Sequence, residues 1–311
     1  MVVDDLLLAK NGRVTRDLAL QLLALPVGAT LPTIAQWRTR FDVGSGTIQK
    51  SFQDLESVHA VRVSSRGHLG SVLLDKSVAC LWAVARLPAL VTAMPLPHSL
   101  EFGTLATVLY AEFERLRIPF DLAFMHGSRV RLQALRDGKV DAVVLSALSA
   151  ECDPARDPAL RLLALPIAYY DDDSVVVLSH TDIDVADPSV RVGIDRRSID
   201  HTFLTERYFP CSAYATYVDC AYTHLPASIS TGALDVAMWH TTSAYPHAHI
   251  AGLASRTSGE RLTSDERARL QRAVLVFRDD SHAAVAIAAL DAANLATIAA
   301  DVRAQRVPVR Y

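Results

Sequence analysis

Cysteine is scarce in this chain, four in 311 residues, and Cys80, Cys152, Cys211 and Cys220 show no CxxC spacing. A chain of this length needs no disulfide staples, so the four are expected to be buried thiols of a reducing compartment. A strong charge of either sign is missing too, since 31 Lys/Arg stand against 34 Asp/Glu, a net charge of −3. Contact with nucleic acid would therefore need a local cluster of cations. The longest weakly charged stretch, Ser77 to Leu100, contains Arg86, Pro88, Pro95 and Pro97. It reads as a linker helix followed by a buried strand, not as a membrane span. Met1 to Asn11 place Asp4 and Asp5 ahead of a short Leu run, without a basic n-region or a small-residue cleavage pattern, so no export signal is expected. Catalytic signatures are absent: there is no GxSxG elbow, Walker loop, GxGxxG or HExxH. Neither enzyme activity nor a cofactor is expected.

What remains is an ordinary globular balance, 50% hydrophobic and 21% charged. Chains approaching about 250–300 residues split into more than one core, which suggests a small head and a larger body. Residues 1–76 hold nine Lys/Arg against seven Asp/Glu, and the remainder 22 against 27, so the weakly basic part is the head.

In the head, Thr15 can cap a helix with Leu18, Leu22 and Leu25 on one face, ended by Pro26 and Gly28. Leu31-Pro32-Thr33 starts a second helix carrying Ile34, Trp37 and Phe41, and Val43-Gly44-Ser45-Gly46 forms a turn. A third helix turns Ile48, Phe52 and Leu55 inward and leaves Thr47, Gln49, Lys50 and Gln53 to solvent. Val61 and Val63 alternate with Arg62 and Ser64, Ser65 to Gly70 interrupt the pattern, and Ser71 to Leu74 resume it, as in a hairpin with a basic tip. Three helices and a β wing form the helix-turn-helix variant whose third helix enters the major groove.

The runs Gly28-Ala29-Thr30-Leu31-Pro32, Val43-Gly44-Ser45-Gly46-Thr47-Ile48, Leu55-Glu56 and Arg66-Gly67-His68-Leu69-Gly70-Ser71 resemble the winged head of GntR-type regulators. That family commonly carries arginines where this chain has Ala35, Ser45 and Gln49. Arginine suits guanine O6/N7 and glutamine suits adenine N6/N7, so the usual operator is not carried over. Base reading is assigned to Thr47, Gln49 and Ser45. Phosphate contact is assigned to Arg38, Arg40, Lys50, Arg62, Arg66 and His68, with Gly67 at the wing tip.

The body alternates apolar strands with helices, as an α/β fold requires. Strands are predicted at Leu90–Met94, Phe120–Phe124, Ala142–Leu145, Leu162–Ile167, Ser174–Leu178, Val190–Ile194, Ala215–Val218, Val236–Met238 and Ala273–Phe277, and a final helix at His282–Arg303. Connections near Ser179–Ser189 and His240–Gly252 lack helical pattern and fit a chain crossing between two lobes. The fold class is thus α/β with an α+β head. The winged helix-turn-helix is placed at 1–74, a linker helix at 75–88 and a two-lobed domain at 89–311. Lobe 1 would take about 89–179 and 270–311, and lobe 2 about 180–269.

Strands that end in a Gly- or Ser-bearing turn and then open a helix make anion sites. Three connections have that form: Pro95 to Ser99 with His98, His126-Gly127-Ser128 with Arg131, and Asp195 to Ser198 with Arg197. Trp239 and His240 follow a strand and could supply an aromatic wall. Each has a plainer reading: Ser99, Ser128 and Ser198 as helix caps, the arginines as surface groups, Trp239 as core.

The body resembles the effector domain of YhfZ-type regulators, a GntR-related group with a ligand domain similar to type II periplasmic binding proteins. The matching pieces are Ala93 to Pro97, Ile118-Pro119-Phe120, His126-Gly127 with Arg131, Asp141 to Val144 with Ser146, Val192 to Asp195 with Arg197 and Ser198, and Asp235 to Trp239. Arg196, His201 and His240 stand where relatives tend to have Asn and Gln. The resemblance implies control by a small, acidic effector. The chain is accordingly expected to be a cytoplasmic homodimer on a pseudo-palindromic double-stranded operator, acting as a repressor and not at a membrane. Three other readings compete. One is an enzyme on the two-lobed fold with a vestigial head, and another is an exported binding protein, which the head contradicts. The third is a metal site at His240, His247 and His249, which lacks a nearby carboxylate or cysteine.

Overall fold

The computed structural model describes residues 10–65, 71–153, 157–171, 174–213, 216–241, 253–257 and 261–311. Its first helix, α1 (Lys10–Ala24), starts five residues before Thr15. Val14, Leu18 and Leu22 recur at intervals of four and are buried, together with Ala19 and Leu23. Thr15 lies within the helix and donates to the Ser51 hydroxyl at 3.0 Å. The chain leaves α1 through Gly28, whose φ of +90° is open to glycine and strained for other residues. Lys76 Nζ donates to the carbonyls of Leu23 and Leu25 at 2.5 and 2.6 Å, a cation on the orphaned acceptors of the helix end.

The short strand β1 (Thr30–Leu31) precedes α2 (Ile34–Phe41) and α3 (Ser45–Ser57). Thr33 and Gln36 form a capping box at the start of α2. Trp37, 1% exposed, stacks on Phe41 at 5.4 Å. Asp42 turns the chain with a left-handed φ of 50°, and α3 then buries Ile48, Ser51 and Leu55. Strands β2 (Val61–Ser65) and β3 (Ser71–Lys76) pair antiparallel, with an irregularity between Arg62 and Val63, and β1 joins the other edge of β3. The predicted wing tip, Ser65 to Gly70, lies outside the described residues except for Ser65.

The predicted linker helix is α4 (Val78–Val84), capped by Ser77. It packs against α1 with Leu81 and Trp82 buried, so it is part of the first compact unit and not a free connector. That unit comprises residues 1–89, 114–119 and 281–289.

The second unit contains two five-stranded sheets. The first follows the order β5-β4-β6-β13-β7, from β4 (Leu90–Met94), β5 (Phe120–Phe124), β6 (Ala142–Ser146), β7 (Leu160–Ala168) and β13 (Arg272–Arg278). The second follows β10-β9-β11-β8-β12, from β8 (Val175–His180), β9 (Arg191–Ile194), β10 (Thr216–Asp219), β11 (Val236–His240) and β12 (Leu253–Thr257). In each, four strands share one direction and one, β13 in the first and β8 in the second, runs against them. The helices are α5 (Leu100–Arg115), α6 (Ser128–Arg136), α7 (Ala147–Glu151), α8 (Ile199–Tyr208), α9 (Leu225–Ser230), α10 (Ser264–Gln271), α11 (His282–Ile287) and α12 (Ala292–Arg303). One apolar core runs through both sheets, including Val143, Leu145 and Val276 from the first and Val177, Val192 and Val236 from the second.

Nine predicted body strands are present, but two features differ. The chain leaves the first sheet at Ala168 and enters the second at Val175, earlier than the predicted crossing near Ser179, and it returns between β12 and β13. Val175–His180 is apolar and mostly buried, and such a run says nothing about which partner it pairs with. The predicted final helix is broken in two, because the Asp291 carboxylate accepts from the backbone of Ala293 and Asn294 and starts α12 afresh. The cysteines also differ: Cys152 and Cys211 are exposed, and Cys80 and Cys220 are half-buried. Among the described residues no helix is long and apolar enough to cross a membrane.

Replacing Trp37 by Ala should remove about 3–5 kcal/mol of head stability. Denaturant unfolding followed by circular dichroism checks this, and a loss below about 1 kcal/mol would show that the Trp37–Phe41 stack is not a keystone of the head.

Candidate functional site

On the head, Gln49 and Lys50 of α3 are exposed, Ser45 and Thr47 in its first turn are half-buried, and Arg38 and Arg40 of α2 are exposed. Lys50 forms an i,i+4 ion pair with Asp54 at 2.9 Å, which sequence reading did not anticipate. The Arg40 guanidinium lies 5.9 Å from the Trp37 ring centre. Arg62 is exposed on β2, and Glu56 accepts from the Val63 backbone at 3.2 Å, tying α3 to the wing. Gln49 and Gln53 line one wall of a groove, with Val63, Ser65 and Ser71 opposite. Arg66, Gly67 and His68 lie outside the described residues.

In the second unit a cavity of about 50 Å³ lies where the strand ends of the two sheets meet. Three helices open onto it: α5 through His98 and Phe102, α6 through Gly127, Ser128 and Arg131, and α8 through Ser198. Pro95 and His126 complete that side, and Tyr169, Tyr170, Tyr222 and His240 close the rest. A smaller neighbouring cavity adds Trp239 and His201.

The aromatic groups hold one another. Tyr222 and Trp239 stack at 4.5 Å, and His240 is met by Tyr170 at 4.8 Å, Phe102 at 5.1 Å and His98 at 5.6 Å. The Tyr222 hydroxyl accepts from the His240 backbone at 2.8 Å. Both His240 ring nitrogens are buried without a hydrogen-bond partner, and Glu101, 1% exposed, has a carboxylate oxygen 3.7 Å from His240 Nε2. Arg131, 3% exposed, donates to the Met125 carbonyl and to the Tyr169 hydroxyl, and its Nε has no partner. Unpaired buried donors are costly, so a group that completes them is favoured at this place.

A polar network joins the two sides. Ser146 and Ser149 donate to Asp200 at 2.6 and 2.8 Å, and the Ser128 hydroxyl accepts from the Ile199 backbone at 2.8 Å. Burial raises the Asp200 pKa, opposed by those two hydroxyls. Gly127 adopts φ +85°, and a Cβ there would stand 2.7 Å from the Arg197 carbonyl oxygen.

The structure separates the thirteen predicted ligand residues. Pro95, His98, His126, Gly127, Ser128, Arg131, Ser198 and His240 line the main cavity, and Trp239 lines its neighbour. Four do not line it. Ser99 is buried and caps α5 by accepting from Phe102, and Ser146 caps α7. Asp195 accepts from the Arg197 backbone and guanidinium and from the Tyr222 backbone. Burial raises its pKa, but those bonds outweigh it and hold the carboxyl below its usual value. Sequence reading missed Phe102, Tyr169, Tyr170 and Tyr222. Tyr169 and Tyr170 follow β7 directly and carried a strand-end signal, whereas Tyr222 carried none.

Burial lowers the pKa of His126 and His201 to about 4 and that of His240 to about 3. His201 is held by the Asp195 backbone N–H on Nδ1 and the Met238 carbonyl at Nε2. Burial pushes the phenols of Tyr169, Tyr170 and Tyr222 upward, so these three keep their protons.

A winged helix-turn-helix joined to a two-lobed α/β domain with a cavity at its strand ends defines a DNA-binding transcriptional regulator. The chain belongs to the YhfZ family: residues 78–311 match the YhfZ C-terminal domain, and residues 26–73 match a helix-turn-helix domain. It is 31% identical over 235 residues to the YhfZ protein of Escherichia coli (strain K12), which covers 75% of this chain and 76% of that protein. The crystal structure of YhfZ from Shigella flexneri is similar with a TM-score of 0.58 and 27% identity, covering 75% of this chain and 97% of that one. The alkanesulfonate-binding protein SsuA from Xanthomonas axonopodis pv. citri, bound to MOPS, matches with a TM-score of 0.52 at 14% identity over 70% of this chain and 76% of its own. This likeness is one of fold.

Two outcomes follow for the second unit. A histidine whose folded pKa is depressed to about 4 binds its proton in the unfolded chain first, so stability is complete above pH 6.5 and declines as pH falls toward 4. Melting temperatures from pH 8 to 5 should show this decline, with a shallower slope in His201→Gln; an unchanged slope would remove His201 from the account. Gly127→Ala should cost about 1–3 kcal/mol in chemical unfolding, and a neutral result would mean that the Gly127–Arg197 approach relaxes freely.

Proposed function

We propose that this regulator is a ligand-responsive repressor, that its effector is a small anion, and that the cavity in the second unit receives it. The carrying observation is the convergence of the first turns of α5, α6 and α8 on one cavity with Arg131 Nε and the His240 ring nitrogens unpartnered there. Helix N-termini favour negative charge, and buried donors favour an acceptor. Its lining residues come from both sheets, so occupation would alter how the lobes close, and residues 74–87 would pass that change to the heads. Coupling requires unequal affinity of the effector for the two lobe arrangements.

For the head, we infer a homodimer in the cytoplasm on a pseudo-palindromic operator. Thr47 and Gln49 face the bases, Ser45 stands beside them, and Arg38, Arg40, Arg62 and the wing residues Arg66, Gly67 and His68 serve the phosphates. Lys50 joins them once its weak exposed pair with Asp54 opens.

Genomic footprinting of the purified protein with and without a panel of small acids tests the whole reading. An effector should change occupancy at specific sites, and acids that raise the melting temperature while leaving occupancy unchanged would sink the coupling. Gln49→Ala should relax preference at one base position by about 1–3 kcal/mol in a binding-site selection experiment, and unchanged preference would remove Gln49 from the readout set.

A further inference from the structure

The Glu101–His240 pair stands apart from the rest of the cavity wall. Glu101 comes from the first turn of α5 and His240 from the end of β11, so the pair spans the two lobes. Both are buried, at 1% and 5% exposure. At 3.7 Å the carboxylate and Nε2 are just outside hydrogen-bond reach, and Nδ1 on the opposite side of the ring has no partner. The other groups around the imidazole are Tyr170, His98, Phe102 and the Tyr222 hydroxyl, and Ser99 and Asp171 face Glu101. Across the same cavity lie His126 and Arg131, and the charge of Arg131 acts on the buried Asp200 beneath it.

We propose that the cavity binds a monoanionic organic acid together with one proton, His240 carrying that proton between the acid and Glu101. This rests on the reading of the cavity as an acid site and goes beyond it. In the empty cavity the imidazole is neutral, because burial disfavours its charged form. An acid group arriving at Nδ1 puts a negative charge on one side of the ring, and on the other stands Glu101, whose own pKa burial raises with Asp171 beside it. The ligand's charge favours imidazolium, so a proton is taken from solvent, Nδ1–H donates to the ligand and Nε2–H to the Glu101 oxygen. No covalent bond changes. His240 is the residue that touches ligand, and Glu101 is a positioning residue acting through it. The Phe102, Tyr170 and Tyr222 rings around this point suit a flat apolar body behind the acid group.

Benzenesulfonate and benzoate are suitable probes, since neither changes charge between pH 6 and 8. Calorimetric titration of the full chain with each, in sulfonate-free buffers of differing ionisation enthalpy, reads affinity and proton uptake together. Uptake of one proton tightens binding by about tenfold per pH unit toward acid. His240→Gln should bind more weakly and lose this dependence, Glu101→Gln should keep its melting temperature yet take up less than one proton, and His126→Gln should keep the dependence. Equal affinity at pH 6 and 8, or a dependence that survives His240→Gln or vanishes in His126→Gln, would overturn the proton-linked inference alone. Failure of both probes to bind at either pH would remove the acid-site reading and this inference with it.

Discussion

Asp200 is fully buried in the first turn of α8 and would be untenable there without partners. Its partners come from the other lobe, the hydroxyls of Ser146 and Ser149, with Arg131 close enough for its charge to act on the carboxylate. A buried carboxyl held in this way is costly to separate from its donors, so the two lobes are coupled to each other through polar chemistry as well as through apolar packing. The surrounding details follow from that constraint. Ser128 meets the Ile199 backbone, Gly127 lacks a side chain where Arg197 approaches, and Arg131 is oriented by Met125 and Tyr169 with one nitrogen left over. The cavity lies beside this junction, so whatever fills it acts on the contact that holds the lobes together.

The cavity is polar but sparing with charge. Three histidines at or beside it are kept neutral by burial, three tyrosines keep their protons, and Asp195 and Arg197 satisfy each other away from it. Such a lining discriminates by hydrogen-bond geometry and ring contact more than by net charge. The head follows a similar economy: Lys50 is paired along its own helix and Arg40 lies by Trp37, so affinity for a phosphate backbone would rest on a few exposed side chains.

Much of this was legible in the sequence, because two signals are local. The Leu18/Leu22 spacing, Thr33 at the start of α2 and the Val61/Val63 alternation specify their elements with little help from distant contacts. Strand-end turns likewise marked Gly127, Ser128 and Ser198 in advance. Pairing partners were not legible. Nothing in Val175–His180 distinguishes the sheet it joins, and β1, two residues long, exists only because β3 offers it an edge.

The sequence by itself determined the winged head, the α/β alternation and the strand-end positions of eight residues that line the main cavity, because periodicity and turn chemistry act over a few residues. Tertiary structure decided what those ends do. It turned Ser146 and Asp195 inward to structural partners, brought Phe102, Tyr169, Tyr170 and Tyr222 to the cavity, and set Glu101 beside His240 across 139 positions of chain. Burial and partner choice depend on residues far apart in sequence, and they decide whether a serine is a cap or a ligand donor and whether a histidine holds its proton.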